Sequence, residues 1–141
     1  MKNIQPFHLA IPVHNLAVCR KFYNEVIGCT EGRSSEHWVD FNFFGHQLVI
    51  HYKPKSELEE LHTNPVDGKN VPVPHYGVVL EWDVFQKFAA TLKSKEIDFI
   101  IEPYTRFKGE VGEQATMFFL DPAGNALEFK SFKDMGQLFA K

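Results

Sequence analysis

The chain contains only two cysteines, Cys19 and Cys29, and they form neither a CxxC pair nor a framework of disulfides. It also has no apolar run near the roughly 20 residues that a membrane-spanning helix needs. Its N-terminal residues lack the long apolar region of a signal peptide and enter a strand pattern almost at once. These absences predict a cytoplasmic protein without a membrane partner.

Neither sign of charge predominates in the chain. Its 15 Lys and Arg residues stand against 18 Asp and Glu, for a formal net charge of -3. Because there is no long basic stripe for a phosphate backbone, we do not expect nucleic acid as a partner. With 141 residues that are 44% hydrophobic, the chain can bury one core. It is therefore predicted to form a single domain spanning residues 1–141 and to act on a small molecule.

Two segments of the chain follow the same plan. One begins with PFHLAIPVHNL and the other with PHYGVVLEWDV, and they place His8 and His75 at the same point. In each segment an alternating strand pattern, over residues 6–13 and 76–82, leads into apolar residues at helical spacing. His8 lies on the less apolar face of its strand.

Capping and turn signals delimit the elements of both segments. Asn15 and Asp83 are predicted N-caps, and Gly28 is expected to end the first helix. Three short strands are then predicted after each helix, at residues 30–33, 38–44 and 47–53 in the first half and at 99–107, 114–120 and 126–132 in the second.

The pattern divides the chain into a first module at about residues 5–53, a connector at 54–74, a second module at about 75–132 and a tail at 133–141. The connector contains several prolines and is predicted to be a loop or strap, and a short helix is expected at 134–140. Each module alone is too small to close a core. We therefore predict an α+β fold in which two βαβββ modules form one curved mixed sheet with helices outside.

Three motifs carry a resemblance to a known family. They are His8 with the NL, FY and IG positions of the helix that follows it, the stretch HYGVVLEWDVFQKFAATL, and the stretch TMFFLDPAGNALEF. Over nearly the whole chain this pattern resembles the vicinal oxygen chelate superfamily, which includes type-I glyoxalases, bleomycin-binding proteins, fosfomycin-resistance transferases and extradiol dioxygenases. The second motif looks especially like fosfomycin-resistance transferases. The resemblance implies a concave cleft that binds a metal.

The resemblance places metal ligands at His8, His75 and Glu128. The strand pattern agrees, because Glu128 alternates with Leu127 and Phe129 and so points away from the apolar face. Taken singly, each candidate is more often an ordinary polar strand residue, but their matching positions in the repeat favour the metal interpretation. The expected cofactor is a divalent ion, with Fe(II) favoured and Mn, Ni, Co or Zn as alternatives.

The two modules differ at the position of a fourth ligand. Alignment on Gly45 and Gly124 sets Val49 against Glu128, whereas type-I glyoxalases have a carboxylate there. Valine cannot bind a metal, so the expected set is two histidines and one carboxylate with open positions, as in non-haem iron(II) oxygenases. His51 shares the face of Val49 and is predicted to be a catalytic acid or base, with a role as fourth ligand as the alternative.

The remaining candidates lie in the stretch EPYTRFKGEVGEQATMFF. Tyr104 is predicted to orient or deprotonate a substrate hydroxyl, and Arg106 is predicted to bind an anionic group of the substrate. Gln114, Thr116 and Phe118 share one face of a strand and are predicted to bind substrate.

Together these features predict an extradiol-type dioxygenase that acts on a small aromatic or vicinal-oxygen substrate. One alternative is a glyoxalase-like lyase or thiol transferase that uses a divalent metal. The other is a non-catalytic protein that binds a small molecule such as a drug. The resemblance also implies a homodimer, in which the modules pair either within one chain or between two.

Overall fold

The computed structural model describes residues 4–141, and residues 1–3 of the predicted domain lie outside the described part. Contacts between residues divide the chain into two compact units. One runs to Glu60 and takes in Asp121–Asn125, and the other consists of Leu61–Leu120 and Ala126–Lys141. Each unit contains the strands and helix of one predicted module.

The first unit has the predicted βαβββ order. Its elements are β1 (His8–Val13), α1 (Leu16–Lys21), a π-helical segment (Phe22–Ile27), β2 (Thr30–Ser34), β3 (Trp38–Phe43) and β4 (His46–Tyr52), followed by a 3-10 turn at Lys55–Glu57. The four strands form a sheet in the order β1-β4-β3-β2, in which β1 is parallel to β4 and the other pairs are antiparallel. All four strand predictions are confirmed to within two residues.

The first helix is capped as predicted but changes its winding. The Asn15 side chain accepts a hydrogen bond from Val18 N at 3.1 Å. After Lys21 the α-helix gives way to the π-helical segment, which ends at Gly28 with a φ of 86°. The π-helical segment contains Tyr23, whose side chain is fully buried.

Alternation gives the first sheet two different faces. One face contributes Val13, Leu48 and Ile50 to a core that also contains Cys19 of α1. Burial raises the pKa of the Cys19 and Cys29 thiols to about 12, which keeps both protonated and unreactive at neutral pH. The opposite face carries the predicted site residues of β1 and β4.

The second unit repeats the same order after an additional hairpin. Its elements are β5 (His62–Val66), β6 (Lys69–Val73), β7 (Val79–Leu80), α2 (Trp82–Ser94), β8 (Phe99–Arg106), β9 (Gln114–Leu120) and β10 (Ala126–Phe132), followed by a 3-10 turn at Met135–Gln137. The four-stranded sheet has the order β7-β10-β9-β8, with β7 parallel to β10 and the other pairs antiparallel. The predictions for β8, β9 and β10 are confirmed to within one residue.

The prediction that the connector is only a loop or strap is wrong. Its β5 and β6 strands pair antiparallel around Asp67 and Gly68, whose φ angles are 49° and 71°. An Asp-Gly pair with two positive φ angles is typical of a two-residue hairpin. Pro65 and Pro72 obscured these strands, because proline is excluded from sheet interiors but tolerated in a two-stranded ribbon, where one edge of each strand is unpaired.

The start of the second module also differs from the prediction. The strand expected at 76–82 is regular only at Val79–Leu80. Helix α2 begins earlier than expected, at Trp82, with Glu81 as its N-cap. Asp83, the predicted cap, therefore lies in the first turn, where its negative charge interacts favourably with the helix dipole.

The α+β class and the two βαβββ modules are confirmed. Strand pairing produces one four-stranded mixed sheet in each unit, besides the two-stranded β5–β6 ribbon. The tail forms a 3-10 turn at Met135–Gln137 instead of a helix over 134–140. None of the helices within residues 4–141 has the length and apolar character needed to cross a membrane.

Candidate functional site

His75 and Glu128 form a polar centre in the second unit. His75 lies a few residues before β7, and Glu128 lies in the middle of β10, between the buried Leu127 and Phe129. His75 Nε2 is 2.9 Å from Glu128 Oε2. The Glu128 side chain is 12% exposed and that of His75 29% exposed, so solvent screens their interaction only weakly.

The other nitrogen of the His75 ring fixes its orientation. Nδ1 donates a hydrogen bond to the Pro72 carbonyl oxygen at 2.6 Å, since a carbonyl oxygen can only accept. The Phe118 ring meets the imidazole edge to face, with 5.1 Å between the ring centroids. The hydrogen bond to Glu128 raises the pKa of His75, against the opposing effect of burial. Nε2 is therefore the nitrogen that takes up a proton or binds a metal ion.

The two oxygens of Glu128 have different partners. Oε1 accepts a hydrogen bond from Thr116 Oγ1 at 2.7 Å and lies 3.3 Å from Lys130 Nζ. Oε2 faces His75. Burial acts to raise the pKa of Glu128, but the hydrogen bond from His75, the charge of Lys130 and the hydrogen bond from Thr116 together lower it. The side chain is thus an anion with one oxygen anchored and the other directed at the imidazole.

Gly77 allows the segment that carries His75 to lie directly against β10. A Cβ atom at this position would lie 1.5 Å from the Glu128 carbonyl oxygen, a distance that only glycine tolerates. At the preceding residue, Tyr76 N donates to Ala126 O at 3.2 Å and Glu128 N donates to Tyr76 O at 2.8 Å. These backbone contacts hold the histidine segment and the glutamate strand in one register.

His8 has a comparable arrangement in the first unit. Its Nδ1 atom is 2.7 Å from Gln47 Oε1, and Gln47 Nε2 donates to Asp40 Oδ2 at 3.3 Å. His8 and Gln47 are paired residues of β1 and β4, so their side chains share one face of the sheet. As in the His75 ring, the Nδ1 contact leaves Nε2 as the nitrogen that can bind a metal.

Strand register within each unit supports the alignment of Val49 with Glu128. In the first unit, Val49 is paired with Ala10, two residues after His8. In the second, the pairs Tyr76 with Leu127 and Val79 with Lys130 share one register, which sets Glu128 opposite Gly77, two residues after His75. The buried Val49 therefore occupies the position in the first unit that Glu128 occupies in the second.

His51 lies where the sequence placed it on β4. It is paired with Pro12 of β1 and with Trp38 of β3, and the side chain is exposed. Because strand side chains alternate, His51 shares a face with His8 and Gln47. Its proposed roles, as proton carrier or fourth ligand, both require this face.

The donor atoms have the chemistry that a divalent ion requires. Imidazole nitrogens and carboxylate oxygens bind Fe, Mn, Co, Ni and Zn, and the observed Nδ1 contacts are of the kind that orient metal-binding histidines. Within residues 4–141, no group of three or more His, Cys, Asp or Glu side chains is arranged to hold a metal ion. The ligand set of His8, His75 and Glu128 stays a prediction.

Tyr104 and Arg106, which are predicted to contact substrate, both contact residues of the β5–β6 hairpin. Lys69 Nζ lies over the Tyr104 ring, 4.7 Å from its centroid. Arg106 forms an ion pair with Asp67 at the tip of the hairpin, while its Nε atom is buried without a hydrogen-bond partner. The hairpin that the sequence analysis missed therefore supplies the immediate partners of both residues.

The three β9 candidates have different surroundings. Thr116 and Phe118 contact Glu128 and His75, as described above, so the structure brings these two together with two predicted metal ligands. Gln114 instead donates to the carbonyl oxygen of Gly112 at 3.3 Å.

Sequence reasoning overlooked Asp40, Gln47, Gly77 and Lys130. Asp40 and Gln47 carried a usable signal, because each is a polar residue at an alternating position within an apolar strand. Lys130 had the same signal, two residues after Glu128. Gly77 gave no clear sequence signal, since the need for glycine arises from the backbone of a distant strand.

A family comparison agrees with this architecture. The sequence pattern of the Glyoxalase/Bleomycin resistance protein/Dioxygenase superfamily matches residues 5–129. The chain belongs to this superfamily. The resemblance to vicinal oxygen chelate proteins is thereby confirmed, and the two βαβββ modules are those of a superfamily member. No curated protein is significantly similar to the chain.

Solved structures of the superfamily share the whole fold. A glyoxalase/bleomycin resistance protein/dioxygenase from Alicyclobacillus acidocaldarius is 30% identical, with a TM-score of 0.81 over 99% of this chain and 100% of that one. The fosfomycin resistance protein FosX from Listeria monocytogenes is 15% identical, with a TM-score of 0.70 over 96% and 98% of the two chains. A glyoxalase/dioxygenase from Nostoc punctiforme is 17% identical, with a TM-score of 0.66 over 90% of each. The last two likenesses concern the fold alone.

Proposed function

We propose that this chain is a divalent-metal-dependent enzyme whose ion is bound by His8, His75 and Glu128. The observation that carries the proposal is that His8 and His75, the histidines at matching positions of the repeat, make the same kind of contact. Each has Nδ1 engaged by a carbonyl oxygen, at 2.7 Å from Gln47 Oε1 and 2.6 Å from Pro72 O. This is the arrangement that presents Nε2 to a metal, and most members of the superfamily are enzymes.

The reaction class we favour is extradiol-type dioxygenation of a small aromatic substrate with adjacent oxygens. Val49 removes the fourth protein ligand, and a site with two histidines, one carboxylate and open positions is typical of non-haem iron(II) oxygenases. A ferrous ion would supply the redox and Lewis-acid chemistry. In this proposal His51 or Tyr104 carries the substrate proton, and Arg106 binds an anionic substituent.

Metal analysis followed by oxygen uptake tests the proposal. The purified protein should contain one divalent ion per chain, and with ferrous iron it should consume oxygen in the presence of at least one member of a catechol panel. His75→Gln should lose the ion, whereas His62→Gln, at an exposed position in β5, should keep it. Stoichiometric Ni(II) or Mn(II) without oxygen consumption would eliminate the dioxygenase assignment.

A second candidate is a lyase or thiol transferase in which His51 is a fourth ligand. The observation that favours it is the position of His51 on the same face of the sheet as His8. This candidate predicts turnover without oxygen in the presence of Ni, Co, Mn or Zn, and a lower metal content in His51→Gln. If His51→Gln retains full metal content, the fourth-ligand role is rejected.

We also propose a homodimer, as implied by the superfamily resemblance. Light scattering after size exclusion should then give twice the chain mass of 16.3 kDa. A mass equal to that of one chain at micromolar concentration would argue against it.

A further inference from the structure

The contact between His8 and Gln47 is part of a chain of hydrogen bonds that ends at Asp40. His8 Nδ1 lies 2.7 Å from Gln47 Oε1, and Gln47 Nε2 lies 3.3 Å from Asp40 Oδ2. We infer that Gln47 and Asp40 are positioning residues that hold the neutral His8 ring in its Nδ1–H tautomer. The consequence for metal binding rests on the function proposed above, but the tautomer itself does not.

The direction of each hydrogen bond follows from the end at Asp40. A carboxylate can only accept, so the NH2 group of the Gln47 amide must face Asp40. The amide carbonyl then faces His8, and a carbonyl oxygen can accept only from a protonated Nδ1. The single ring proton of neutral imidazole is thereby assigned to Nδ1, and the lone pair is left on Nε2.

Asp40 is well placed to set this direction. It is only 8% exposed, and it is paired with Val49 across β3 and β4, on the face that carries Gln47. Arg33 Nε lies 3.9 Å from Asp40 Oδ2.

The chain of hydrogen bonds from His8 through Gln47 to Asp40 is a relay that fixes the position of the ring proton. His75 does not need such a relay. Its Nδ1 proton is accepted by the backbone carbonyl of Pro72, which cannot exchange a donor for an acceptor. A glutamine amide, by contrast, can rotate by half a turn and present NH2 to His8. Nδ1 would then have to accept, the proton would move to Nε2, and the ring could no longer bind a metal through that atom. Asp40 prevents this rotation.

Two variants separate the relay from simple packing. Gln47→Met keeps the length of the side chain but removes both hydrogen bonds. In the double variant Asp40→Asn with Gln47→Glu, the amide and the carboxylate exchange places. The new carboxylate at position 47 accepts from both the His8 ring and the new amide at position 40, so the Nδ1–H tautomer should return. Gln86→Met, on the exposed side of α2, is the matched control.

Nitrogen-15 NMR of the histidine rings, recorded on metal-stripped full-length protein at alkaline pH, is the primary measurement. We expect His8 in the Nδ1–H form in the wild type, the control and the double variant, and a shift toward the Nε2–H form in Gln47→Met. Metal titration should show about 10–100-fold weaker binding for Gln47→Met, with recovery in the double variant.

The outcomes distinguish this inference from the proposed function. If the wild-type His8 ring is in the Nε2–H form, or if Gln47→Met leaves the tautomer unchanged, the relay is refuted even when the protein binds metal. If Gln47→Met does not fold, the wild-type and double-variant spectra still decide the question. If no variant binds metal but the tautomer responds as expected, the proposed function fails and the relay stands.

Discussion

Substitution of Gly77 by alanine tests whether the approach of the His75 segment to β10 is as tight as the structure shows. The added Cβ atom would lie 1.5 Å from the Glu128 carbonyl oxygen and 2.6 Å from the carbonyl carbon, whereas Cβ contacts shorter than 3.0 Å essentially do not occur. The obstructing atoms belong to the backbone, so a change of side-chain rotamer cannot relieve the clash. The two segments must separate by about 1.5 Å.

A separation of this size has a calculable cost. It breaks the two backbone hydrogen bonds made by Tyr76, to Ala126 and from Glu128, which are 3.2 and 2.8 Å long. Each contributes about 1 kcal/mol, and the residual overpacking costs about 1–3 kcal/mol. Gly77→Ala should therefore lower the free energy of unfolding by about 3–5 kcal/mol.

Urea denaturation followed by circular dichroism measures this loss. The control is Gly32→Ala, whose Cβ would lie 3.4 Å from Asp40 Cβ, an ordinary contact distance. Because alanine also restricts the unfolded chain, the control should be neutral or slightly stabilising. A loss below about 1 kcal/mol for Gly77→Ala, or a loss equal to that of the control, would refute the close approach.

Three further predictions concern polar and charged side chains elsewhere in the two units. Tyr23→Phe removes the hydroxyl that donates to the buried Asp121 Oδ2 at 2.7 Å. In the same urea assay it should lower the free energy of unfolding by about 1.5–3 kcal/mol, whereas Tyr52→Phe, at an exposed position, should lower it by less than about 0.5 kcal/mol. Equal losses would contradict the buried hydrogen bond. Burial raises the pKa of Asp121 although its hydrogen bonds act to lower it, so its contribution to stability is complete below about pH 4 and is lost as the pH rises through the raised pKa. The stability of the wild type relative to Asp121→Asn should thus increase from about pH 7 to about pH 4, and a pH-independent difference would show the direction to be wrong. Asp67→Asn removes the carboxylate that pairs with Arg106. Because an exposed ion pair contributes up to about 1 kcal/mol, the affinity for a carboxylated catechol, measured by calorimetry, should increase by up to about fivefold. Weaker binding would argue against Arg106 as the residue that binds an anionic group of the substrate.

Much of the fold could be predicted because its signals are local. The β9 and β10 boundaries are the ranges predicted from alternation, and Gly28 ends the first helix in the left-handed conformation that its position suggested. The π-helical winding at Phe22–Ile27 was not predicted, since over six residues its apolar spacing is hard to distinguish from that of an α-helix. The β5–β6 hairpin was missed because its prolines and polar residues conceal a pattern that only the Asp67–Gly68 turn betrays.

The candidate site could likewise be predicted only in part. The repeat matched His8 with His75, and the superfamily resemblance added Glu128 to the candidate ligands. Strand register supports the equivalence of Val49 and Glu128. The partners of Arg106 could not be predicted, because they lie on an element that was itself missed.

By itself, the sequence determined the superfamily, the modular repeat and the residue types from which a metal site can be built. Only the tertiary structure decided which nitrogen of each imidazole is committed to a carbonyl oxygen, which oxygen of Glu128 is anchored and why position 77 must be glycine. The physical reason is distance along the chain. Periodicity reports which face a side chain occupies, whereas a hydrogen bond between residues 39 positions apart depends on strand register and rotamer, which no local pattern encodes.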